Sequence, residues 1–160
     1  MKFKLILTLI ILAMIPALGF SQVQLPDFSF TDLDGNAFTN SSLDSDKPVF
    51  VMMFDPYCDH CETQADNIAE QADKFRAKGV QFMWVTLEPD PEALARFRDK
   101  HFGGTGLEDN LHFLMDQDVM FEDYFGYTDE SINIYCFKPD GSRPKYFGEE
   151  QEAASLLKYL

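Results

Sequence analysis

The sequence is poor in cysteine, histidine and basic residues, and each shortage excludes a class of protein. Its 160 residues include three cysteines, three histidines, and 13 lysines and arginines against 27 aspartates and glutamates. Three cysteines are too few for a scaffold held together by several disulfides. A formal net charge of −14 opposes binding to nucleic acid or anionic lipid, so neither is expected as a partner. No internal repeat or low-complexity segment is evident, and a hydrophobic content of 46% is enough for one packed domain.

The first 21 residues have the pattern of a secretory signal peptide. Two lysines precede an apolar run over residues 5–15, and the small residues Gly19 and Ser21 suit a signal peptidase. We therefore predict a signal peptide over residues 1–21 and a single domain over 22–160, exported to the periplasm or another extracytoplasmic compartment. An uncleaved membrane anchor is the alternative, although the apolar run is short for a span. Membrane contact is expected only through such an anchor.

Strand and helix patterns alternate along the rest of the chain. A hairpin around Asp34-Gly35 is followed by the apolar run Val49–Phe54, which is typical of a strand buried on both faces. Further predicted strands cover 80–87, 111–115, 132–137 and 145–147, and predicted helices cover 58–78, 119–125 and 149–159, with one more beginning near 89. This alternation predicts an α/β fold with a central mixed sheet covered by helices on both faces.

The strongest chemical signal is the motif Cys58-Asp59-His60-Cys61. It lies between the buried strand and the next helix, where two thiols three residues apart can close a disulfide with little backbone movement. Cys58 lies near the helix N-terminal amides, which favour a thiolate. Cys61 lies one turn deeper, where it can resolve a mixed disulfide. A redox-active couple is the favoured interpretation, with a static structural disulfide and a metal site as alternatives.

The surrounding residues restrict the metal alternatives. A c-type haem would need histidine directly after the second cysteine, where Glu62 stands. Structural zinc would need two more ligands, and His60, His101, His112 and Cys136 are scattered along the chain. Copper(I) suits two thiolates with a nearby histidine, so a non-catalytic, copper-handling binding module is the alternative function. We expect no metal and no cofactor beyond the cysteine couple. His101 and His112 are expected to be solvated or in loops. Cys136 is expected to be either a buried inert thiol or a third redox partner.

Several short motifs, in this order, resemble the thioredoxin superfamily and in particular its exported TlpA/ResA-type branch. They are Leu25-Pro26-Asp27-Phe28 with Asp32-Leu33-Asp34-Gly35, the stretch from Lys47-Pro48-Val49 to Cys61, Leu114-Met115-Asp116-Gln117-Asp118 with Phe125-Gly126-Tyr127, and Lys138-Pro139-Asp140-Gly141. The resemblance implies a three-layer α/β/α fold with an N-terminal β-hairpin. It also implies a thiol–disulfide oxidoreductase that acts on protein thiols and disulfides, in which Cys58 attacks and Cys61 resolves.

The resemblance also assigns supporting positions around the cysteines. Tyr57 stands where the family usually has tryptophan, and would offer a flat apolar surface to a partner peptide. His60 resembles the histidine of the Cys-Pro-His-Cys site in DsbA-type oxidants, and a cationic ring there would stabilise the Cys58 thiolate. Asp59, like its neighbours Asp55 and Glu62, would oppose that thiolate by charge repulsion.

The sequence departs from the family pattern at three positions. The loop before the penultimate strand carries a cis-proline in the family, but Ser131-Ile132-Asn133 has none near Ile132. Since a non-proline cis bond costs about 3 kcal/mol, a trans loop is expected there. Met52 replaces a buried acid or amide, and Gln64 replaces the ResA-type glutamate. A peroxiredoxin-type peroxidase would need threonine or serine where Asp55 precedes Cys58.

Overall fold

A seven-stranded mixed sheet forms the centre of the structure. This is a computed structural model, which describes residues 25–126 and 132–160. The strands are β1 (Ser29–Thr31), β2 (Ala37–Thr39), β3 (Val49–Met53), β4 (Gln81–Thr86), β5 (Leu111–Met115), β6 (Asn133–Phe137) and β7 (Lys145–Phe147). The helices are α1 (Asp59–Ala69), α2 (Ala72–Ala77), α3 (Pro91–Phe102), α4 (Phe121–Phe125) and α5 (Ala153–Tyr159), with 3₁₀ turns at Asn40–Ser42 and Glu108–Asn110.

The strand order is β2-β1-β5-β4-β3-β6-β7. Strands β3, β4 and β5 are parallel to one another, and every other neighbouring pair is antiparallel. Two crossover connections, through α1–α2 and through α3, join the parallel strands. Because both move in the same direction along the sheet, right-handed crossovers put these helices on one face. The predicted mixed α/β sheet with an N-terminal hairpin is confirmed.

The two faces of the sheet are packed differently. Phe50 and Met52 of β3 belong to the core cluster that includes buried residues of α1, α2, α3 and α5. Val49 and Val51, which point the opposite way along the same strand, belong to a second cluster with Phe121 of α4 and the aromatic side chains of the hairpin. All four side chains are at most 5% exposed, which explains why β3 reads as a continuous apolar run.

Helix boundaries differ from the predicted ones for identifiable reasons. The predicted helix over 58–78 is two helices, since Gln71 N bonds to Ile68 O and interrupts the α-helical pattern. Helix α4 starts at Phe121 because Val119 has φ +57, a left-handed conformation that no α-helix contains. Asp116 caps α4 by accepting hydrogen bonds from the amides of Met120 and Phe121 at 3.0 and 2.7 Å.

The carboxyl ends of the parallel strands form one edge of the sheet. We use "carboxyl edge" for the segments 54–58, 87–90, 116–120 and 148–152, which follow β3, β4, β5 and β7. Strand β7 runs in the same direction as β3, because each is antiparallel to β6. In open α/β sheets this edge is where ligands bind. The predicted signal peptide lies outside the described residues, and no described helix is long and apolar enough to cross a membrane.

Candidate functional site

Cys58 occupies the N-cap of α1, at the carboxyl edge. Its backbone is extended, with φ −93° and ψ 123°, and its carbonyl accepts hydrogen bonds from the amides of Cys61 and Glu62, both at 3.0 Å. Its own amide donates to the Asp55 carbonyl at 3.1 Å. These bonds hold Cys58 at the N-terminal end of α1, where the partial positive charge of the helix lies, and its thiol is half-buried there.

Cys61 has a different environment, one helical turn further on. Its side chain is fully buried and hydrogen-bonded to that of Cys58. Burial raises the pKa of the Cys61 thiol to about 12, with a smaller contribution in the same direction from Cys58. The backbone amide of Asp55 opposes this shift by hydrogen bonding to the sulfur. The structure therefore contains one accessible thiol and one buried, protonated thiol in contact with each other.

The supporting residues flank Cys58 on the surface. Tyr57 is 66% exposed, so its ring is available to a second molecule. His60 is also exposed, and its Nδ1 lies 3.4 Å from Glu150 Oε2 in the segment before α5. Asp59 is exposed in the first turn of α1, and the charge of nearby Glu62 is offset by Lys100 at 2.6 Å. The hydrogen bond from Lys100 lowers the pKa of the Glu62 carboxyl.

Ile132 lies directly before β6, beside the carboxyl end of β3. The antiparallel register pairs the next residue, Asn133, with Met53. The Ile132 side chain is fully buried in the same core cluster as Cys61. Residues 25–126 and 132–160 contain no cis peptide bond, and the bond between Ser131 and Ile132 lies outside the described residues.

Two of the departures from the family pattern lie behind the cysteines. Met52 is fully buried near the carboxyl end of β3. Gln64 is fully buried on α1 and bonds to the backbone of Gln151, donating to its carbonyl at 3.1 Å and accepting from its amide at 2.6 Å. These two hydrogen bonds connect α1 to the segment that carries Glu150. Sequence reasoning identified Gln64 only as a replacement and missed this contact.

The expectation that His101 and His112 are solvated or in loops is wrong. The His101 side chain is 2% exposed on α3, with Nδ1 2.6 Å from Asp66 Oδ1 and Nε2 3.9 Å from Glu62 Oε1. His112 lies in β5 with its ring centroid 4.7 Å from that of Phe38, and burial lowers its pKa. The His101 ring is buried and joins α3 to the cysteine-bearing helix, whereas the His112 ring is half-buried in the sheet against Phe38.

Cys136 lies in β6, away from the other two cysteines. It pairs with Phe50 of β3, four residues before Phe54, which corresponds to about 13 Å along the strand. A disulfide requires Cα atoms within about 7 Å, so Cys136 is not placed to bridge Cys58. It is fully buried, and burial raises its pKa to about 12. These properties fit the predicted buried, inert thiol.

Metal-ligating side chains do not cluster in the described part of the chain. Within residues 25–126 and 132–160, no group of three or more His, Cys, Asp or Glu side chains is arranged to hold a metal ion. The arrangement that remains is a thiol pair of unequal burial at a helix N-terminus. Such a pair can form a mixed disulfide at the outer sulfur and close an internal disulfide with the inner one.

Comparisons with known proteins agree with this fold. No curated protein sequence matches the chain, whereas the model of the AhpC/TSA family matches residues 22–146. Among solved structures, MTB DsbF is 24% identical with a TM-score of 0.64, over 86% of this chain and 92% of that one. A secreted Mycobacterium tuberculosis disulfide oxidoreductase homologous to E. coli DsbE is 22% identical with a TM-score of 0.64, over 83% and 96%. BsSco, of the Sco family of cytochrome c oxidase assembly proteins, is 17% identical with a TM-score of 0.65, over 87% and 92%. The chain belongs to the AhpC/TSA family and has the fold of the thioredoxin superfamily.

Proposed function

We propose that this protein is an exported thiol–disulfide oxidoreductase that exchanges disulfides with partner proteins through Cys58 and Cys61. The observation that carries the proposal is the asymmetry of the pair, since Cys58 is half-buried at a helix N-cap and Cys61 is fully buried with a pKa of about 12. An attacking thiol needs access and a stabilised thiolate. A resolving thiol needs only to reach the first sulfur.

The reaction in the reducing direction has two exchange steps. The Cys58 thiolate attacks one sulfur of a partner disulfide, so that a Cys58–partner disulfide forms and the other partner sulfur leaves as a thiolate and takes up a proton. Cys61 then loses its proton and attacks Cys58 Sγ, which releases the second partner thiol. Two electrons and two protons pass to the partner, and Cys58 and Cys61 become a disulfide. The same steps run backwards when the oxidised protein accepts electrons from partner thiols.

Export to an extracytoplasmic compartment is part of the proposal. The basic and apolar pattern of residues 1–21 supports a signal peptide, which leaves a domain over 22–160. One structural neighbour is described as a secreted disulfide oxidoreductase, which is compatible with such a compartment. An oxidising compartment is also where a protein that exchanges disulfides finds its substrates.

Trapping of the first exchange product tests the proposal. Reduced protein is mixed with a disulfide-linked peptide, and the products are separated by mass. We expect Cys61→Ser to accumulate the Cys58 mixed disulfide, wild type to release free peptide thiols and form its internal disulfide, and Cys58→Ser to do neither. Cys136→Ala is the matched control, since it removes a thiol outside the site and should behave like wild type. Accumulation of a mixed disulfide on Cys136, or equal products from all variants, would contradict the proposal.

Two competing activities are measured on the same proteins. A peroxidase would consume hydrogen peroxide in a Cys58-dependent reaction, and Asp55 at the position three residues before Cys58 argues against it. A copper-handling module would bind copper(I) with one-to-one stoichiometry and be inactive towards the disulfide-linked peptide. Either result, in the absence of peptide reduction, would replace the oxidoreductase assignment.

A further inference from the structure

Three large apolar side chains are exposed in the described part of the chain, and each follows one of the parallel strands. Tyr57 follows β3 and is 66% exposed, Leu87 follows β4 and is 48% exposed, and Val119 follows β5 and is 61% exposed. Exposed apolar side chains grouped on one surface indicate an interaction site, whereas single ones carry no meaning.

The strand register places the segments that carry them side by side at the carboxyl edge. Strand β3 pairs Met53 with Val85, and strand β4 pairs Thr86 with Met115, so the three strands end level with one another. Hydrogen bonds from Phe54 N to Val85 O and from Asp116 N to Thr86 O continue this alignment past the last paired residues. Adjacent strands lie about 4.8 Å apart, so the outer two strands of this trio are about 10 Å apart. An extended peptide of three to four residues spans that distance, and Cys58 lies at one end of it.

The same edge is acidic. Its four described segments contain no lysine or arginine, and seven of their acidic side chains are exposed or half-buried: Asp55, Glu88, Asp90, Asp118, Glu149, Glu150 and Glu152. The basic residues of the nearest helix are already paired with carboxylates. Lys100 lies 2.6 Å from Glu62, and Arg96 lies 3.6 Å from Asp90.

Basic residues lie instead at the opposite edge of the sheet. Lys47 precedes β3, Lys78 precedes β4, and Lys138 and Arg143 lie in the connection between β6 and β7. Acidic residues such as Asp46 and Asp140 lie at the opposite edge as well, but there they are mixed with basic ones, so the cysteine-bearing edge is the more acidic of the two. A second copy of this chain, or an acidic partner, would be repelled from this edge.

We infer that the carboxyl edge binds an extended, cationic segment of a partner protein, whose cysteine meets Cys58 while flanking apolar side chains pack on Tyr57, Leu87 and Val119. This inference rests on the proposed function and adds the chemistry of the partner to it. The acidic side chains attract lysines or arginines near the partner's cysteine and accelerate encounter. The apolar side chains then hold the segment in register with the sulfur.

Three short peptides test the inference. Each carries one cysteine as a mixed disulfide with 2-thiopyridine, flanked on both sides by Leu and Lys, by Leu and Glu, or by Ser and Lys. Attack of the Cys58 thiolate on the peptide sulfur forms the Cys58–peptide disulfide and breaks the bond to the pyridine sulfur. That sulfur leaves with the bonding electron pair and is protonated, so its release reports the rate. We expect wild type to react at least about tenfold faster with the Leu–Lys peptide than with the Leu–Glu peptide at low ionic strength, and high salt to remove most of this difference.

Matched variants locate the preference on the molecule. Glu88→Gln, Asp118→Asn and Glu149→Gln together remove three charges from the carboxyl edge, whereas Asp46→Asn, Asp109→Asn and Asp140→Asn remove three from the opposite edge. We expect the first triple variant to lose most of the charge preference and the second to keep it. Leu87→Ser with Val119→Asn should abolish the preference for the Leu–Lys peptide over the Ser–Lys peptide.

A small neutral disulfide separates failure of this inference from failure of the proposed function. Wild type and the opposite-edge variant should both reduce 2,2′-dithiodipyridine in a Cys58-dependent reaction, and absence of that reaction would remove the proposed function itself. If the reaction occurs but wild type reacts equally with the Leu–Lys and Leu–Glu peptides, only the cationic-partner inference is overturned. Equal loss of preference in the two triple variants would overturn it as well, since the effect would then come from net charge alone.

Discussion

Gln64 on α1 and Gln151 before α5 exchange two hydrogen bonds across 87 residues of sequence. Gln64 Nε2 donates to the Gln151 carbonyl at 3.1 Å, and the Gln151 amide donates to Gln64 Oε1 at 2.6 Å. Both ends of the buried amide are used, so only a side chain with one donor and one acceptor fits. The glutamate of the ResA-type pattern meets that requirement only when protonated.

Gln64→Glu should therefore destabilise the protein in a pH-dependent way. Burial raises the pKa of the introduced carboxyl above its unfolded value, so the variant is closest to wild type below the unfolded pKa and loses stability as pH rises through the folded pKa. We expect a loss of about 2 kcal/mol or more at pH 8 and below about 1 kcal/mol at pH 4. Urea denaturation of both proteins at each pH measures this difference. Gln117→Glu, at an exposed position, is the control, and a loss at Gln64 that does not change with pH would contradict the argument.

The pair formed by His101 and Asp66 gives a second stability prediction. Because the His101 ring is buried and Asp66 is its hydrogen-bond partner at 2.6 Å, Asp66→Ala leaves a buried Nδ1 without that partner. We expect a loss of about 1–3 kcal/mol, measured by chemical denaturation. Adding His101→Phe should restore part of it, because an apolar ring against Phe97 needs no hydrogen bond.

Asp73→Ala is the matched control for Asp66→Ala. Asp73 also lies on a helix and pairs with Arg76, but at the surface. Its removal should cost no more than about 1 kcal/mol. A double variant that is less stable than Asp66→Ala alone would show that the His101 ring is held by something other than this hydrogen bond.

The sequence predicts the thiol pair well because its signals are local. An apolar strand, two cysteines three residues apart and a helical pattern follow one another within the range 49–69, and the structure places Cys58 at the helix N-cap as this order implies. Burial of Cys61 also follows from local pattern, since position 61 lies on the same helix face as Ala65 and Ile68.

Partners that are distant in sequence could not be predicted in this way. Gln64 meets Gln151, and Asp66 meets His101, only because the crossovers bring α1 against α3 and the segment before α5. The sequence of a helix does not show whether a glutamine on it is solvated or hydrogen-bonded to a distant segment. The burial of His101 could not be predicted for a similar reason, since it depends on how α3 is rotated against α1.

Backbone strain at Val119 lowers the stability of the folded protein, and a glycine there should relieve it. It is a β-branched residue at φ +57, and the left-handed region costs an L-residue about 1–2 kcal/mol. Val119→Gly removes that cost and should raise the free energy of unfolding by about 0.5–1 kcal/mol despite the added freedom of the unfolded chain. Thermal or urea denaturation measures the change.

Leu87→Gly provides the comparison for Val119→Gly. Leu87 is also exposed at the carboxyl edge, but its φ is not in the left-handed region. Glycine there only adds freedom to the unfolded chain, so the variant should lose about 0.4–1 kcal/mol. Opposite signs at the two positions are expected, and a loss at both would mean that the Val119 side chain contributes more by contact than its backbone costs.

The high pKa of Cys61 makes the second exchange step depend on pH. Burial, the largest cause of the shift to about 12, persists when Cys58 is in a mixed disulfide. Only the thiolate is nucleophilic, and its fraction rises tenfold per pH unit below the pKa. Release of the second thiopyridine from protein mixed with excess 2,2′-dithiodipyridine reports this step, and its rate should rise about tenfold per unit between pH 7 and pH 10. Cys61→Ser should release one equivalent only, so any second release in that variant comes from elsewhere. A rate that levels off below about pH 9 would mean that a group near Cys61 removes its proton, and that burial does not control resolution.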